Sequence, residues 1–186
     1  GTVYTHDELK ALASVFENHE NILVLSDEIY EHINFIGKHE SIAQFDSIRS
    51  RVILVNGVSK SYAMTGWRIG YLAAEKYLAQ ACDKMQGQFT SAASSIAQRA
   101  ALAAISRQDD ENKIMFEAFR RRRDLVLKLL KEIPGLKVNQ PQGAFYVFPD
   151  VSSFFGRQHN GTVINTPDDL CMYLLREARV SLVTGV

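Results

Sequence analysis

Apolar and polar residues alternate in blocks along this chain, and the spacing within each block predicts strands and helices in turn. Short, largely apolar runs predict buried strands at 21–25 and 52–55. A further strand is predicted at 69–74, and the dipeptide Asn56-Gly57 is expected to end the strand before it. Strands that alternate with helices along a chain indicate an α/β fold.

Helical periodicity accounts for most of the remaining segments. Thr5 and Glu8 have the spacing of a capping box, which predicts that a helix begins directly after Thr5. The other predicted helices are 75–86, 94–105, a long helix that ends at 133 before Pro134-Gly135, and one that opens at Thr166-Pro167-Asp168-Asp169. Strands are also predicted at 137–139, 144–148 and 180–183, with a polar loop at 156–166.

The character of the sequence changes near residue 106, where a polar segment at 107–111 precedes the long helix. We therefore place a domain boundary there, which gives domains of residues 1–105 and 106–186. Arg120–Arg123 lies within the long helix. Because four consecutive residues point around a helix, a solvated face with salt bridges is favoured over a nucleic-acid-binding patch.

Composition narrows the class of protein further. The 186 residues are 46% hydrophobic and 23% charged, with a net charge of zero, which is typical of a globular protein and argues against nucleic acid as a partner. No apolar run is long enough to span a membrane, and no signal-peptide pattern is visible. Cys82 and Cys171 are expected to be free thiols, and no zinc-ligand spacing occurs, so we expect no metal site and a cytoplasmic location.

The first chemical candidate is Lys60, which lies between Ser59 and Ser61 just after the strand predicted at 52–55. Open α/β sheets bind ligands at this position, beyond the carboxyl ends of their strands. Partial burial lowers the pKa of a lysine, and a neutral amine is what imine formation needs. Taken alone, however, this triplet is more typical of a solvated surface. The Ser-x-x-Lys spacing of class A-like hydrolases is absent, since Ser59 and Lys60 are adjacent.

The second candidate is Asp27, which follows the strand predicted at 21–25. From its position alone, Asp27 could cap a helix, bind a metal or have no special role, and a cap is the default interpretation.

The stretch from Ser59 to Tyr71 reads Ser-Lys-x-x-x-Met-Thr-Gly-Trp-Arg-Ile-Gly-Tyr. It resembles the lysine signature of the fold-type I pyridoxal-phosphate aminotransferases of class I/II, and most closely that of bacterial aspartate aminotransferases. The resemblance covers essentially the whole chain. It implies a three-layer α/β/α large-domain portion in residues 1–105, followed by part of a small α+β C-terminal domain.

The resemblance also implies a role for each residue of a cofactor site. Lys60 would hold pyridoxal 5'-phosphate as a Schiff base and then act as general acid–base catalyst. Asp27 would be a buried carboxylate that keeps the ring nitrogen protonated, a contact worth about 4 kcal/mol at an effective dielectric near 20. Tyr30 would donate to the O3′ oxygen. Ser59 and Arg68 would bind the phosphate.

Some positions depart from the family pattern or are weaker matches. Relatives often carry a second phosphate-binding hydroxyl at position 57, where this chain has Gly57, so that contact is either absent or made by a backbone N–H. Thr65 and Trp67 are expected to pack rather than bind. Thr90 and Ser91 match residues that reach across a dimer interface in relatives, which implies a homodimer.

The implied function is that of a transferase of amino acid metabolism. It would move an amino group between an amino acid, aspartate, and a 2-oxo acid, 2-oxoglutarate. The same residues could serve a β-lyase, a decarboxylase or a cyclopropane-forming synthase, or the fold could be a non-catalytic effector-binding domain of a transcription regulator. Against relatives, Gly1 matches the end of their Asn-Pro-x-Gly segment, and Val186 precedes their carboxylate-binding arginine. The chain is therefore expected to be an interior fragment, inactive alone, whose side-chain specificity stays open.

Overall fold

The computed structural model describes residues 1–107 and 111–185. Its strands are β1 (Val24–Asp27), β2 (Val52–Gly57), β3 (Gly70–Ala73), β4 (Gln158–His159) and β5 (Thr162–Val163). Its α-helices are α1 (His6–Glu17), α2 (Asp46–Arg49), α3 (Lys76–Phe89), α4 (Ser95–Ser106), α5 (Glu111–Lys131) and α6 (Pro167–Tyr173). Short 3₁₀ helices lie at Ile42–Gln44, Thr65–Trp67 and Ser152–Phe154, and a π-helix at Leu174–Ala178. Residues 108–110 of the predicted polar segment, and Val186, lie outside the described residues.

The chain forms two compact units. The sheet unit comprises Thr2–Phe119 together with residues 142–144. The hairpin unit comprises Gly1, Arg120–Pro141 and Phe145–Val186. The sheet unit holds β1–β3 and α1–α4, and the hairpin unit holds β4, β5 and α6, so every candidate site residue lies in the sheet unit.

The sheet of the sheet unit has the order β1-β2-β3. β1 and β2 are parallel, and the segment between them crosses over through α2, because parallel neighbours cannot be joined by a tight turn. β3 is antiparallel to β2. The strand predicted at 52–55 is thus confirmed as the centre of the sheet, and the strand predicted at 69–74 is confirmed as β3.

α1 covers the sheet unit's core and begins where the sequence predicted. The Thr5 side chain accepts a hydrogen bond from the Glu8 N–H at 3.3 Å, and the Glu8 carboxylate accepts one from the Thr5 N–H at 2.8 Å, which confirms the capping box. The apolar face of α1 packs into a cluster of buried side chains: Leu9, Ala13, Ile42, Ile48 and Val52. Each large aliphatic side chain buried in this way stabilises the fold by roughly 2 kcal/mol.

The strand predicted at 21–25 is displaced, since β1 begins only at Val24. The segment before Val24 forms turns that are held by Arg51. Its guanidinium donates to three backbone carbonyls, those of Phe16, His19 and Ile22. Because Arg51 binds these carbonyls, they are not available for a sheet ladder, and the strand runs from Val24 to Asp27 instead.

The expectation that Asn56-Gly57 ends β2 is wrong. Both residues continue the strand, with Asn56 opposite Tyr71 and Gly57 opposite Gly70 on β3. A Cβ on Gly57 would lie 3.2 Å from the Gly70 Cα, so the two strands approach more closely than a larger residue would allow. Glycine serves here for close packing rather than for a turn.

The helices after β3 follow the prediction closely. α3 and α4 confirm the helices predicted at 75–86 and 94–105, each within three residues at either end. The long predicted helix is α5, which ends at Lys131 rather than 133. Gly135 follows with a φ of 88°, a conformation that favours glycine and stops the helix.

In the hairpin unit, the loop predicted at 156–166 contains a small antiparallel hairpin of β4 and β5. Asn160 and Gly161 connect the strands with φ values of 48° and 78°, as a tight hairpin turn requires. α6 follows with the predicted N-terminus, because Thr166 and Asp169 form a capping box and Pro167 occupies the first turn.

The strands predicted at 137–139 and 144–148 are not formed. Lys137 makes only an isolated bridge with Asp150, through one N–H to carbonyl hydrogen bond in each direction. Ala144 has a φ of 59°, and this left-handed backbone is incompatible with an extended strand at its start.

The strand predicted at 180–183 is also wrong. Arg179 adopts a φ of 57°, and the Val180 N–H bonds back to the Leu174 carbonyl at 3.1 Å. This closure of the preceding π-helix turns the chain away from an extended path. An apolar run needs a neighbouring strand to become a strand itself, and none pairs with it in the described part of the chain.

Two further predictions concern side chains outside the sheet. Cys82 and Cys171 are both free thiols, as expected. In the predicted arginine-rich face, Arg123 bonds to the Asp124 carboxylate at 2.8 Å and to the Pro141 carbonyl at 3.3 Å. Across residues 1–107 and 111–185, we find no helix with both the length and the apolar character that crossing a membrane requires.

Candidate active site

The candidate residues gather at the end of the sheet where β1 and β2 stop. Asp27 closes β1 opposite Val55, so the two parallel strands finish side by side. β3 starts at the same end, where Gly70 pairs with Gly57. The turn that carries Lys60 leaves β2 directly after Gly57 and therefore lies at this end of the sheet. The carboxyl ends of parallel strands are the usual ligand-binding position in such sheets.

Lys60 and Tyr30 lie together. The Lys60 Nζ is 5.9 Å from the centre of the Tyr30 ring, and both residues are half-buried. A cation over an aromatic face is attracted by the ring's quadrupole, and this interaction holds the amine near the phenol. The two residues that the family signature assigned to one cofactor are thus neighbours in the fold.

Asp27 is held by a tight turn of its own backbone. Its Oδ1 accepts a hydrogen bond from the Ile29 N–H at 3.2 Å, so it caps a turn rather than a helix. The family resemblance implies a buried carboxylate, whereas Asp27 is exposed. The physical reason is its position as the last residue of an outer strand of the described sheet, where only β2 flanks it.

Ser59 and Arg68 flank the turn between β2 and β3. Ser59 is half-buried, and its carbonyl accepts from the Met64 N–H at 3.2 Å. Arg68 is exposed, has a φ of 51°, and donates from its guanidinium to the Thr65 carbonyl at 2.9 Å. Ala63 in the same turn has a φ of 52°. Left-handed non-glycine residues are uncommon and concentrate at functional sites.

Gly57 is the position where relatives often have a hydroxyl. Its own N–H does not replace that hydroxyl, because it donates to the Asn56 Oδ1 at 2.7 Å within a buried environment. Of the two residues expected to pack, one is exposed and the other is about half covered. Thr65 is exposed, and Trp67 is 47% exposed at the edge of an open hollow beside Ile96.

Sequence reasoning missed a second pair of polar residues behind the turn. Asn56 is only 5% exposed, and its Nδ2 donates to the Glu31 Oε1 at 2.8 Å. Glu31 directly follows Tyr30 in the chain. The available signal was a polar residue continuing an apolar strand, but the Asn-Gly dipeptide favoured a turn instead.

Sequence reasoning also missed a buried carboxylate next to Asp27. Glu28 is 8% exposed and lies on the opposite side of the chain from its neighbour. Its carboxylate accepts from three side chains: Ser26 at 3.0 Å, Ser41 at 2.6 Å and the Nε2 of His39 at 2.6 Å. This cluster fixes the segment that follows β1.

The cluster shifts the ionisation of both its titratable members. Burial acts to raise the pKa of Glu28, but the hydrogen bonds from His39 and Ser41 and the charge of His39 outweigh it, so the pKa falls below 4.5. The hydrogen bond to Glu28 raises the pKa of His39 above 6.5, with help from the Glu31 and Glu40 charges and against the effect of burial. Glu28 is therefore ionised and His39 protonated in the intervening range.

These shifts predict a pH-dependent stability. The contribution of His39 is complete below pH 6.5 and is lost as the pH rises through its raised folded-state pKa. The contribution of Glu28 is complete above pH 4.5 and is lost as the pH falls through its lowered pKa. We expect the thermal midpoint of the wild type to decrease as the pH rises from 6 to 8. In His39→Gln, the midpoint should depend less on pH over this range. His19→Gln, at an exposed position, is the control. An unchanged slope in His39→Gln would refute this assignment.

The chain is similar in sequence to proteins of a known family. Residues 1–185 match the family Aminotransferase class I and II. The chain is 45% identical over 190 residues to the bifunctional aspartate aminotransferase and glutamate/aspartate-prephenate aminotransferase of Petunia hybrida, covering all of this chain and 40% of that protein. It is 41% identical over 188 residues to the aspartate aminotransferase of Rhizobium meliloti, of which it covers 46%.

Solved structures agree. The aspartate aminotransferase from Rhizobium meliloti superposes with a TM-score of 0.91 at 40% identity, over 97% of this chain and 46% of that one. The aromatic aminotransferase from Pyrococcus horikoshii gives 0.87 at 35% identity, over 98% of this chain and 47% of that one. The chain thus spans less than half the length of these relatives, and the predicted α/β fold of the fold-type I aminotransferases is confirmed. With residues 1–185 matched, the chain belongs to the aminotransferase class I and II family.

Proposed function

We propose that the protein carrying this chain transfers an amino group between aspartate and a 2-oxo acid, 2-oxoglutarate, using pyridoxal 5'-phosphate bound through Lys60. The observation that carries the proposal is the position of Lys60. Its amine lies 5.9 Å from the Tyr30 ring, at the end of the sheet where the strand carrying Asp27 also stops. An amine, a phenol and a carboxylate supplied by neighbouring segments are the groups that such a cofactor needs.

The side chains present fit this cofactor in charge and hydrogen-bonding capacity. Asp27 supplies an anion for a protonated ring nitrogen, and Tyr30 supplies a phenol for O3′. Ser59 supplies a hydroxyl and Arg68 a planar guanidinium for the phosphate. The turn contains one more polar group of interest: the buried Oγ of Ser61, next to Lys60, has no hydrogen-bond partner among the described residues.

The chain's own residues then have distinct tasks. When bound, the cofactor supplies an electron sink that stabilises negative charge at the substrate's Cα. The Lys60 Nζ would take the proton from that Cα as general base and would later give it up as general acid. The Asp27 carboxylate would keep the ring nitrogen protonated, and the Tyr30 hydroxyl would donate to O3′. Ser59 and Arg68 orient the whole group through its phosphate.

The choice of aspartate as amino donor is supported by the names of the relatives, several of which are aspartate aminotransferases. A second acceptor is also favoured, because the Petunia relative is named as a glutamate/aspartate-prephenate aminotransferase. Prephenate is a 2-oxo acid, so it would use the same Lys60 chemistry as 2-oxoglutarate.

Three further features belong to the proposal. The residues 1–105 form the cofactor-binding part and 106–186 part of the C-terminal domain. The full-length protein is a homodimer, for which the exposed Thr90 and Ser91 are candidate interface residues. Its location is the cytoplasm, in keeping with the free thiols of Cys82 and Cys171.

A direct assay tests the proposed function. The full-length protein, loaded with pyridoxal 5'-phosphate, is expected to convert aspartate and 2-oxoglutarate to oxaloacetate and glutamate in a coupled absorbance assay. Parallel reactions with prephenate as acceptor, and with phenylalanine as donor, define the substrate class. Release of carbon dioxide or ammonia from aspartate, without amino transfer to any oxo acid, would point instead to a decarboxylase or lyase.

A further inference from the structure

We propose that Asn56 and Glu31 are positioning residues, which hold Lys60 against Tyr30 through one hydrogen bond between the two segments that carry the site. The proposal rests on the proposed function, in which Lys60 and Tyr30 both contact the cofactor. The hydrogen bond joins the Asn56 Nδ2 to the Glu31 Oε1 at 2.8 Å.

The Asn56 amide is fixed at both ends. Its Oδ1 accepts the Gly57 N–H at 2.7 Å while its Nδ2 donates to Glu31, so the amide cannot rotate without losing both bonds. Asn56 is 5% exposed, and a buried donor that loses its partner costs its full desolvation. The link therefore strongly favours one arrangement of the two segments.

The link lies close in sequence to both site residues. Glu31 directly follows Tyr30, and Asn56 precedes Lys60 by four residues at the end of β2. The two segments are also joined by a backbone hydrogen bond, from the Glu28 N–H to the Val55 carbonyl at 2.8 Å. The Asn56–Glu31 hydrogen bond is made by side chains and lies beside this backbone bond. A substitution can therefore remove the side-chain bond without changing the hydrogen bonds of the sheet.

The Glu31 carboxylate that accepts this hydrogen bond lies among other polar groups. The His32 Nε2 lies 3.4 Å from the same Oε1. Burial raises the pKa of the Tyr71 phenol, and the nearby negative charge of Glu31 raises it further, followed by Tyr62. A hydrogen bond to a charged acceptor is stronger than one between neutral groups, which suits a positioning role.

Asn56→Asp is the first test. It keeps the oxygen that binds the Gly57 N–H, but it places a carboxylate against Glu31 and removes the donor. We expect the dissociation constant for pyridoxal 5'-phosphate to rise by about tenfold or more, because a bond to a charged group is lost. In the cofactor-free protein, Lys60 is expected to react faster with acetic anhydride, measured by peptide mass spectrometry, since it is no longer held against Tyr30.

Glu31→Gln keeps an oxygen that accepts from Asn56 but loses the charge, so it should weaken cofactor binding less than Asn56→Asp does. The combination Asn56→Asp with Glu31→Gln reverses the polarity of the bond, since the introduced glutamine amide can donate to the introduced aspartate carboxylate. This double variant should recover both the cofactor affinity and the Lys60 labelling rate of the wild type. Recovery by reversal is a result that loss of packing alone does not produce.

Asn34→Asp is the matched control. Asn34 is also buried, at 9% exposed, and its Oδ1 also accepts a backbone N–H, that of Ile36 at 3.0 Å. Its Nδ2, however, has no hydrogen-bond partner in the described part of the chain. Asn34→Asp buries the same charge and is expected to lower the thermal midpoint, yet to leave Lys60 labelling unchanged.

The outcomes separate cleanly. The proposal is overturned if Asn56→Asp matches Asn34→Asp in both Lys60 labelling rate and cofactor affinity. It is also overturned if the double variant regains the stability of the wild type but neither its labelling rate nor its cofactor affinity. If Asn56→Asp does not fold, Glu31→Ala decides, since it leaves the Asn56 Nδ2 unpaired and should alter both readouts. A wild-type protein that binds no pyridoxal 5'-phosphate contradicts the proposed function, and Lys60 labelling then still tests the hydrogen bond.

Discussion

Replacing Lys60 by alanine is expected to lower aspartate transamination by about 10⁴-fold or more, because one amine serves as both covalent anchor and proton carrier. The Lys60 side chain is half-buried at the end of the sheet and lies over the Tyr30 ring. The measurement is the steady-state rate of the full-length variant, together with the visible absorbance of the bound cofactor.

The control for this experiment is Lys76→Ala. Lys76 is exposed at the start of α3, and its loss removes a lysine without touching the site. We expect it to keep the wild-type rate and spectrum. An imine in Lys60→Ala that borohydride still reduces, or a rate within about tenfold of the wild type, would mean that another group carries the chemistry.

Asp27→Asn is expected to separate the carboxylate's chemical role from its structural one. Asparagine is almost isosteric and retains an oxygen that can accept the Ile29 N–H, so the turn and the thermal midpoint should barely change. The neutral amide cannot hold a proton on the ring nitrogen. Losing a contact worth about 4 kcal/mol corresponds to a fall in turnover of about 10³-fold.

Asp83→Asn, an exposed change on α3, is the control, and it should leave both turnover and stability unaltered. The exposure of Asp27 makes the experiment informative, since a solvated carboxylate is worth less than a buried one. A variant that lost stability but kept its turnover would show that Asp27 is only a cap. Turnover reduced by no more than about tenfold would indicate that solvent screens the contact in the assembled site.

The features that the sequence predicted well depend on neighbours along the chain. The helices predicted to begin at Thr5 and Thr166 formed because each cap needs only the three residues that follow it. Features that depend on distant partners were missed. The Asn56-Gly57 dipeptide lies in a strand because β3 pairs with it, whereas Asn160-Gly161 makes the tight turn that joins β4 to β5. The dipeptide alone cannot distinguish these cases.

The same distinction applies to the candidate site. Lys60 and Asp27 were identified from the signature and from the ends of apolar runs, both of which are local in sequence. The hydrogen bond between Asn56 and Glu31 spans 25 residues, and the cluster that joins Glu28 to His39 spans 11. The first depends on the register of β1 against β2, because Asn56 lies on β2 and Glu31 lies in the segment that follows β1. The second depends on the turns after β1 that bring His39 and Ser41 back to Glu28.

Reductive trapping decides whether Lys60 is the residue that holds pyridoxal 5'-phosphate. The full-length protein is incubated with the cofactor, reduced with borohydride, digested and mapped by mass spectrometry. We predict a single stoichiometric pyridoxyl group on the peptide that contains Lys60, and its disappearance in Lys60→Ala. Stoichiometric labelling of a different lysine, or no labelling of a folded protein, would contradict the account.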